Sequence, residues 1–521
     1  MRNAKLLLNG TLFAAFLIFT NGCKKTGGAA DDEPVRKVST NAVVPVTLAI
    51  DYSAPAGYPS ASMLRGYILR DVIALKNTNI MNDLAGYNAL GCKLVCLPRD
   101  LNQFNAAYTG SNYYKSYRSI GPAYFGGEPQ PEEFRTVGGV LSVSVNPNFL
   151  SICNEAKNQN LRMIIQAAGT PVQGNNDGSV TQLFPLDATR QFHQSARFYA
   201  LPAPASYNAA ADAVYLWMKA IKDGTNANNI IWAGHQEPSH TVGYPNGVQT
   251  PAGTEDNIDD YALAFKPLAQ KIKNGAIGSV AGIQLNQDQA GYARATAALH
   301  NNGVPIDLFS IQNYKGEKNQ VVIDEAVARL NAHSSTAGKK LIFNRYDFDA
   351  GISDPTLRYN SSAGMTQFLK NELVILNKAD KLTGYCLFTG AYGKPMMNAV
   401  MKFLNTQPVT RRNITGIASG VNAWCTADGN GMYMALWNSA ADARTITVNL
   451  SNFPAAYGGY VMNIRKASGT TLANYPTATW TPATNGQIGN ISLEPNEFVL
   501  IQLNASGTST ASIAANQKAQ S

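Results

Sequence analysis

Charge is scarce in this chain: Asp, Glu, Lys and Arg make up only 15% of its 521 residues, against 45% apolar residues. That balance describes a folded, globular chain rather than a disordered one. The net charge is +8, but several of the positives lie near the N-terminus, and no Lys/Arg block is interleaved with aromatics. Nucleic acid is therefore not an expected partner, and the excess is at most a weak hint of a polyanion. Cysteine is scarce as well. Of six, Cys23 lies in the N-terminal region, and Cys92, Cys96, Cys153, Cys386 and Cys425 are an odd set without CxxC spacing, which argues against a disulfide framework or a zinc site. Cys92 and Cys96 sit beside and within an apolar strand-like run and read as small core residues. No GxGxxG or Walker-type loop follows any strand-like run, and no cofactor is expected.

The N-terminus reads as a targeting segment. Met1-Arg-Asn-Ala-Lys5 is a positive n-region and Leu6 to Thr20 an apolar h-region too short for a stable membrane span. Asn21-Gly22-Cys23 follows and resembles the lipobox of a bacterial lipoprotein signal, with Thr20 where Leu is typical. The resemblance implies a signal over residues 1–22, lipidation at Cys23, and a flexible tether over 23–42 containing Gly27-Gly28 and Asp31-Asp32-Glu33. A relaxed lipobox with an acidic tether is similar to surface lipoproteins of the Bacteroidetes type. The expected location is the outer membrane or cell surface, on the periplasmic or extracellular face, with the membrane touched through the lipid alone.

From residue 43 to 405 apolar strand-like runs alternate with amphipathic helical stretches. The strand candidates are Val44 to Ile50, Lys93 to Leu97, Arg162 to Ala167, Ile230 to Ala233, Ser279 to Leu285, Asp307 to Ile311, Lys340 to Phe343 and Thr383 to Phe388. Eight continuous apolar strands separated by helices are the pattern of a closed parallel (β/α)8 TIM barrel, since parallel strands are covered on both faces. Residues 406–505 change character: Met432 to Asn438, Ala443 to Leu450, Tyr460 to Arg465 and Ile491 to Leu503 are strand-like, with turn residues and no helical period between them. An antiparallel β-sandwich is expected there. Residues 506–521, rich in Ser, Thr and Ala, read as a frayed tail.

The segment Ile230-Ile-Trp-Ala-Gly-His-Gln-Glu-Pro-Ser-His240 carries the most chemistry. An apolar strand ending in a Glu-Pro step puts a carboxylate at the strand's C-terminal lip, where TIM barrels keep their active sites. The plainer reading is a surface Glu at a loop start, with Pro238 ending the strand. A barrel with Glu-Pro after strand four and a C-terminal β-sandwich resembles the large clan of retaining glycoside hydrolases. In that clan the motif is Asn-Glu-Pro, so the resemblance implies Glu237 as general acid/base and Gln236 in place of the Asn that binds a sugar hydroxyl. Ser310-Ile-Gln-Asn-Tyr314 is similar to the clan's Ser-x-His-x-Tyr, which makes Tyr314 the nucleophile's neighbour and Gln312 the stand-in for His. Arg99, after strand two, sits near the clan's nucleophile-holding Arg. Ser492-Leu-Glu-Pro-Asn-Glu-Phe-Val-Leu-Ile501 looks like the last strands of the accessory sandwich.

The resemblance breaks at strand seven. A retaining enzyme holds two carboxylates about 5 Å apart, and the second should be a Glu in Leu341-Ile-Phe-Asn-Arg-Tyr-Asp-Phe-Asp349, which has none. The favoured register puts Arg345 there, and a guanidinium has no lone pair with which to attack. Three alternatives follow: Asp347 or Asp349 takes the role; an Asp stands further from Glu237, with water between, in the inverting arrangement; or the site binds glycan without cleaving it. Asp347 is the provisional second carboxylate, with His235, Gln236, Tyr314, Arg99, Gln312 and Arg345 as substrate-binding candidates. Leu387-Phe-Thr-Gly-Ala-Tyr392 lacks the clan's platform Trp, leaving Phe388 or Tyr392 as the substitute. The Tyr-rich loop after strand two (Tyr108, Tyr113, Tyr114, Tyr117, Tyr124) suits a saccharide cleft, or equally pins a long loop to the body. His235, Glu237 and His240 are not in the helical HExxH arrangement, so no metal is expected. The expected partner is a polysaccharide or oligosaccharide, and the expected reaction is hydrolysis of its O-glycosidic bonds.

Overall fold

The computed structural model describes residues 43–69, 79–97, 124–125, 128–129, 132–145, 147–166, 172–174, 180–185, 202–228, 230–234, 258–286, 290–348, 351–452, 460–475, 478–480 and 486–505. Eight parallel strands close into a barrel: Leu64–Ile68, Leu94–Leu97, Arg162–Gln166, Ile231–Ala233, Ser279–Asn286, Leu308–Asn313, Lys340–Tyr346 and Leu382–Leu387, first to eighth. Their alternation sorts the core. Ile68, Leu94, Cys96, Ile164, Ile231 and Ile342 point inward and fill the barrel, while Tyr67, Val95, Met163, Trp232, Phe309 and Phe343 point outward under the helices. Every one of these side chains is at most 1% exposed, so a parallel strand covered on both faces reads as an unbroken apolar run.

The expected fold class stands, with two corrections. The first barrel strand is Leu64–Ile68, and Val44–Pro55 belongs to the C-terminal β region, where it runs antiparallel to Arg411–Thr415 and parallel to Arg444–Ser451. The β module is therefore discontinuous, built from residues 44–55 together with 411–505, and the barrel does not begin at residue 43. The physical reason is visible in the strand itself: Val46, Leu48 and Ile50 are buried while Thr47 and Ala49 are exposed, the period-two pattern of a sheet with one buried face. Leu64-Arg-Gly-Tyr-Ile68 escaped notice because Arg65 and Gly66 interrupt its apolar run. The second correction concerns the sandwich, which is one ten-stranded sheet, largely antiparallel, curled around a core that includes Val46, Leu48, Val421, Met434, Val448 and Ile501.

Strand Gly431–Asn438 explains how that sheet joins the barrel. Met432, Met434 and Leu436 face the sheet's own core, while Tyr433, Ala435 and Trp437 join the cluster beneath the barrel helices. Tyr433 packs on Phe403 of helix Pro395–Thr406 with ring centroids 5.4 Å apart. Trp424 Nε1 donates to Gln407 Oε1 at 3.1 Å, and Arg411 Nη1 to Asn377 Oδ1 at 2.6 Å.

The eighth strand pairs with the first from Gly384–Leu64 to Leu387–Tyr67, and a buried ion pair lies beside this seam. Arg65 and Glu372 are 2% and 0% exposed. Arg65 Nε and Nη2 donate to Glu372 Oε1 at 2.9 and 2.6 Å, and Nη1 donates to Leu404 O at 3.3 Å. Tyr385 of the eighth strand donates its hydroxyl to Glu372 Oε2 at 2.8 Å. Burial, then the Glu372 charge, holds the Tyr385 phenol well above its ordinary range, so it remains a donor. Backbones approach closely beside this cluster: a Cβ on Gly66 would strike the Leu94 carbonyl, and one on Gly384 the Leu64 carbonyl.

Removing one partner of a buried pair strands the other charge, so Glu372→Ala is expected to cost ~3–5 kcal/mol in denaturant unfolding followed by tryptophan fluorescence. The double variant Arg65→Met, Glu372→Met is expected to lose less than Glu372→Ala alone; a larger loss would show that the charge itself holds the seam.

Candidate active site

The strand C-termini open on one face of the barrel, and three of the strand ends there, the sixth, seventh and eighth, can be followed in side-chain detail. At the fourth, Gly234 continues the strand by donating its N–H to Ala281 O at 3.1 Å. It has no side chain because a Cβ there would run into the Tyr261 hydroxyl of the following helix, Ile258–Asn274. Glu237, Gln236, His235 and His240, which follow this strand end in sequence, lie outside the described residues, as do Arg99, Asp349, Cys23 and the Tyr-rich segment before Tyr124. Tyr124–Phe125 forms a two-stranded ribbon with Glu128–Pro129.

Strand seven delivers Arg345 to the mouth through a bulge. Ile311 pairs with Phe343, yet the next pair is Gln312 with Arg345, so Asn344 is an extra residue. The eighth strand records the same insertion, the register slipping between Phe343 and Tyr346. Phe343 and Tyr346 both face outward beneath the helices, stacked with centroids 5.9 Å apart, so two residues between them turn inward instead of one. Asn344 is fully buried and accepts from Ser310 Oγ at 3.1 Å. Arg345, 2% exposed, then lies level with Gln312. Its Nη1 donates to the Tyr314 hydroxyl at 3.4 Å, and that hydroxyl donates to Gln312 Oε1 at 2.7 Å. Tyr314 also meets Phe388 edge-on, centroids 6.2 Å apart.

Three of the residues singled out from sequence, Gln312, Tyr314 and Arg345, are thus brought together, with Phe388 as the aromatic beside them. Tyr392 is placed elsewhere: it packs edge-on against Tyr87 and Tyr67, at 4.7 and 5.4 Å between centroids. Of the two candidates for the missing platform, Phe388 alone adjoins Tyr314.

Asp347 is turned to a different set of partners. Its Oδ1 accepts from the Tyr359 hydroxyl at 2.6 Å and from Phe348 N at 2.7 Å, and its Oδ2 accepts from Arg358 Nη1 at 3.2 Å. Burial and then the Asp347 charge push the Tyr359 phenol up, keeping it protonated as a donor. The Asp347 main chain meanwhile ties two strand ends together: its N–H donates to Asn313 O at 2.9 Å, and its carbonyl accepts from Gly316 N at 3.1 Å. Sequence reasoning did not single out Asn344, Arg358 or Tyr359. A signal for the last two existed in Asp354-Pro355, an N-cap followed by proline in the first turn, which starts helix Pro355–Asn360; the Asp354 carboxylate accepts from Thr356 N at 2.8 Å. Nothing local signals the bulge.

No family model matches the sequence, and no curated protein matches it. Solved structures do share its fold. The chain is similar to a GH39 enzyme from Xanthomonas axonopodis pv. citri, with TM-score 0.62 and 13% identity over 90% of this chain and 99% of that one. It is similar to a monomeric beta-xylosidase from Caulobacter crescentus CB15, with TM-score 0.59 and 11% identity over 89% and 100%. A third similarity is to a Paenibacillus polymyxa xyloglucanase from GH family 44, with TM-score 0.54 and 10% identity over 89% and 100%. At such identities the likeness establishes the fold: a TIM barrel carrying a C-terminal β region, as in those glycoside hydrolases.

Proposed function

We propose that this chain hydrolyses O-glycosidic bonds of a polysaccharide or oligosaccharide at the C-terminal mouth of the barrel, with Glu237 as general acid/base. The observation that carries the reading is the Glu-Pro step three residues beyond Gly234, at the end of the fourth strand of a closed barrel. Tyr314 and Phe388 support it by bringing a hydroxyl and an aromatic ring together at the mouth, with the buried Gln312 amide accepting from the Tyr314 hydroxyl. The similar structures include a beta-xylosidase, an endoxylanase and a xyloglucanase, so xylan, xyloglucan and their oligosaccharides are the first substrates to offer.

Within this reading Asp347 is one candidate for the second carboxylate, held in place by Tyr359 and Arg358. Asp349, two residues further along the same segment, is the other, and either would serve as nucleophile or, at a longer separation, as the base that activates water. A specific observation favours a second reading, glycan binding without cleavage: a buried Arg345 stands level with Gln312 on strand seven, where the resemblance calls for a carboxylate. We also propose that Cys23 carries a lipid anchor holding the chain at the cell surface, which rests on the lipobox-like Asn21-Gly22-Cys23.

Hydrolysis of these oligosaccharides, followed by reducing-end assay, separates the readings. Glu237→Gln is expected to lower kcat on unactivated substrates ~10²–10⁴-fold; wild-type turnover in that variant would end the assignment. Asp347→Asn and Asp349→Asn identify the second carboxylate: loss of that one is expected to abolish turnover, while loss of the other costs less than the ~100-fold that displacing an active-site group by ~1 Å brings. Wild-type protein that binds these glycans in calorimetry without cleaving them would establish the binding reading. For the anchor, Cys23→Ser is expected to move the chain out of the membrane fraction and stop palmitate incorporation; unchanged fractionation would refute it.

A further inference from the structure

We infer that Glu497, a buried carboxylate of the C-terminal sheet, is a positioning residue for the barrel mouth: it clamps two turns that brace the seventh loop, and the brace reaches Tyr314 and Arg345 through Asp347. Glu497 comes from the closing segment Ser492–Ile501, whose carboxylate has no part in the proposed chemistry.

Glu497 is 4% exposed. Its Oε2 accepts from Lys466 Nζ at 2.8 Å and from Glu494 N at 2.8 Å, and Ser468 also donates to the carboxylate. One side chain thereby joins the end of strand Tyr460–Ser468 to the turn 494–497. Those two turns are the parts of the sheet that present carbonyls to helix Ser362–Leu376. Gly469 O accepts from Ser362 N at 2.6 Å, and Asn496 O accepts from Thr366 Oγ1 at 3.2 Å. Gly469 and Asn496 both have positive φ, 55° and 61°, so each carbonyl is aimed by a turn that few other conformations reproduce.

The braced helix in turn fixes its neighbour. Helix Pro355–Asn360 ends against it with a backbone approach so close that a Cβ on Gly364 would strike the Arg358 carbonyl. Arg358 and Tyr359 leave this short helix to hold the Asp347 carboxylate. Asp347 N–H and carbonyl then pin Asn313 and Gly316, which flank Tyr314 and so set the hydroxyl that Arg345 and Gln312 share. The links are hydrogen bonds, except for the steric approach of Gly364 to the Arg358 carbonyl, and the two end members are far apart in sequence.

Single-amide hydrogen exchange on the full chain tests the inference and needs no substrate, so its outcome is independent of whether the site hydrolyses anything. In Glu497→Gln, and in Thr366→Val, which removes only the Thr366–Asn496 bond, the amides of Gly316 and Asp347 are expected to exchange several-fold faster than in the wild type. The Gly234 amide, bonded to Ala281 O on another part of the barrel, is expected to keep its rate. Faster exchange confined to Ser362 and Asn496 would overturn the inference, since the clamp would then be local. Equal acceleration at Gly234 would also overturn it, since the effect would be loss of global stability.

Discussion

The buried contact of Arg65 with Glu372 and Tyr385 is the constraint on which both halves of the molecule depend. A barrel exists only if its last strand finds its first, and here the first strand is short and contains Arg65 and Gly66 between its apolar residues. Apolar burial alone does not choose a partner for such a strand. Replacing a buried ion pair by apolar groups of equal volume is often neutral, so we read the pair's contribution as direction rather than strength. One guanidinium donates to one carboxylate, on one helix, beside one tyrosine of the eighth strand, and its Nη1 reaches the Leu404 carbonyl of the last helix. The same guanidinium thus touches both the strands that close the barrel and the helix that leads into the sheet.

The β module is tied in a similar way. Its strand Val44–Pro55 lies between Arg411–Thr415 and Arg444–Ser451, so neither module is complete until the chain's two ends have met. Contacts of that sequence separation require loop closure before they yield any burial, which places this fold among the slow ones. The cost is repaid in area: strand Gly431–Asn438 is buried along its whole length, facing the sheet core on one side and the barrel helices on the other. The sheet is consequently part of the barrel's outer layer as well as a module of its own.

At the mouth, an inserted residue and a buried charge are linked. Without the bulge at Asn344, alternation would send Arg345 outward among the helices, where Tyr346 now sits. With it, a guanidinium is presented level with Gln312, and the next carboxylate in sequence, that of Asp347, is drawn away by Arg358 and Tyr359. The strand therefore ends in a buried cation level with Gln312, with the next carboxylate held by Arg358 and Tyr359. Tyr314 joins the two side chains, since its hydroxyl accepts from the cation and donates to a neutral amide.

Much of this was legible in the residues. Seven barrel strands and the change to β structure after the last helix follow from runs and periods that are properties of adjacent residues, whereas Gln312, Tyr314 and Arg345 were picked out by resemblance to short motifs. The alternation of Val46, Leu48 and Ile50 was equally legible as a strand with one buried face, and assigning it to the barrel by its place in the chain order was the error. Tertiary structure alone decided what each local element met. Arg65 reads as a strand breaker until Glu372, more than three hundred residues away, neutralises it. Asn344 reads as one more strand residue until its neighbours' register makes it a bulge, and Asp347 reads as a free carboxylate until a short helix brings two donors to it. Hydrophobic period is set by the geometry of one segment and survives in the sequence; the partner of a charge or the register of a strand is set by a second segment, and only the closed barrel brings the two together.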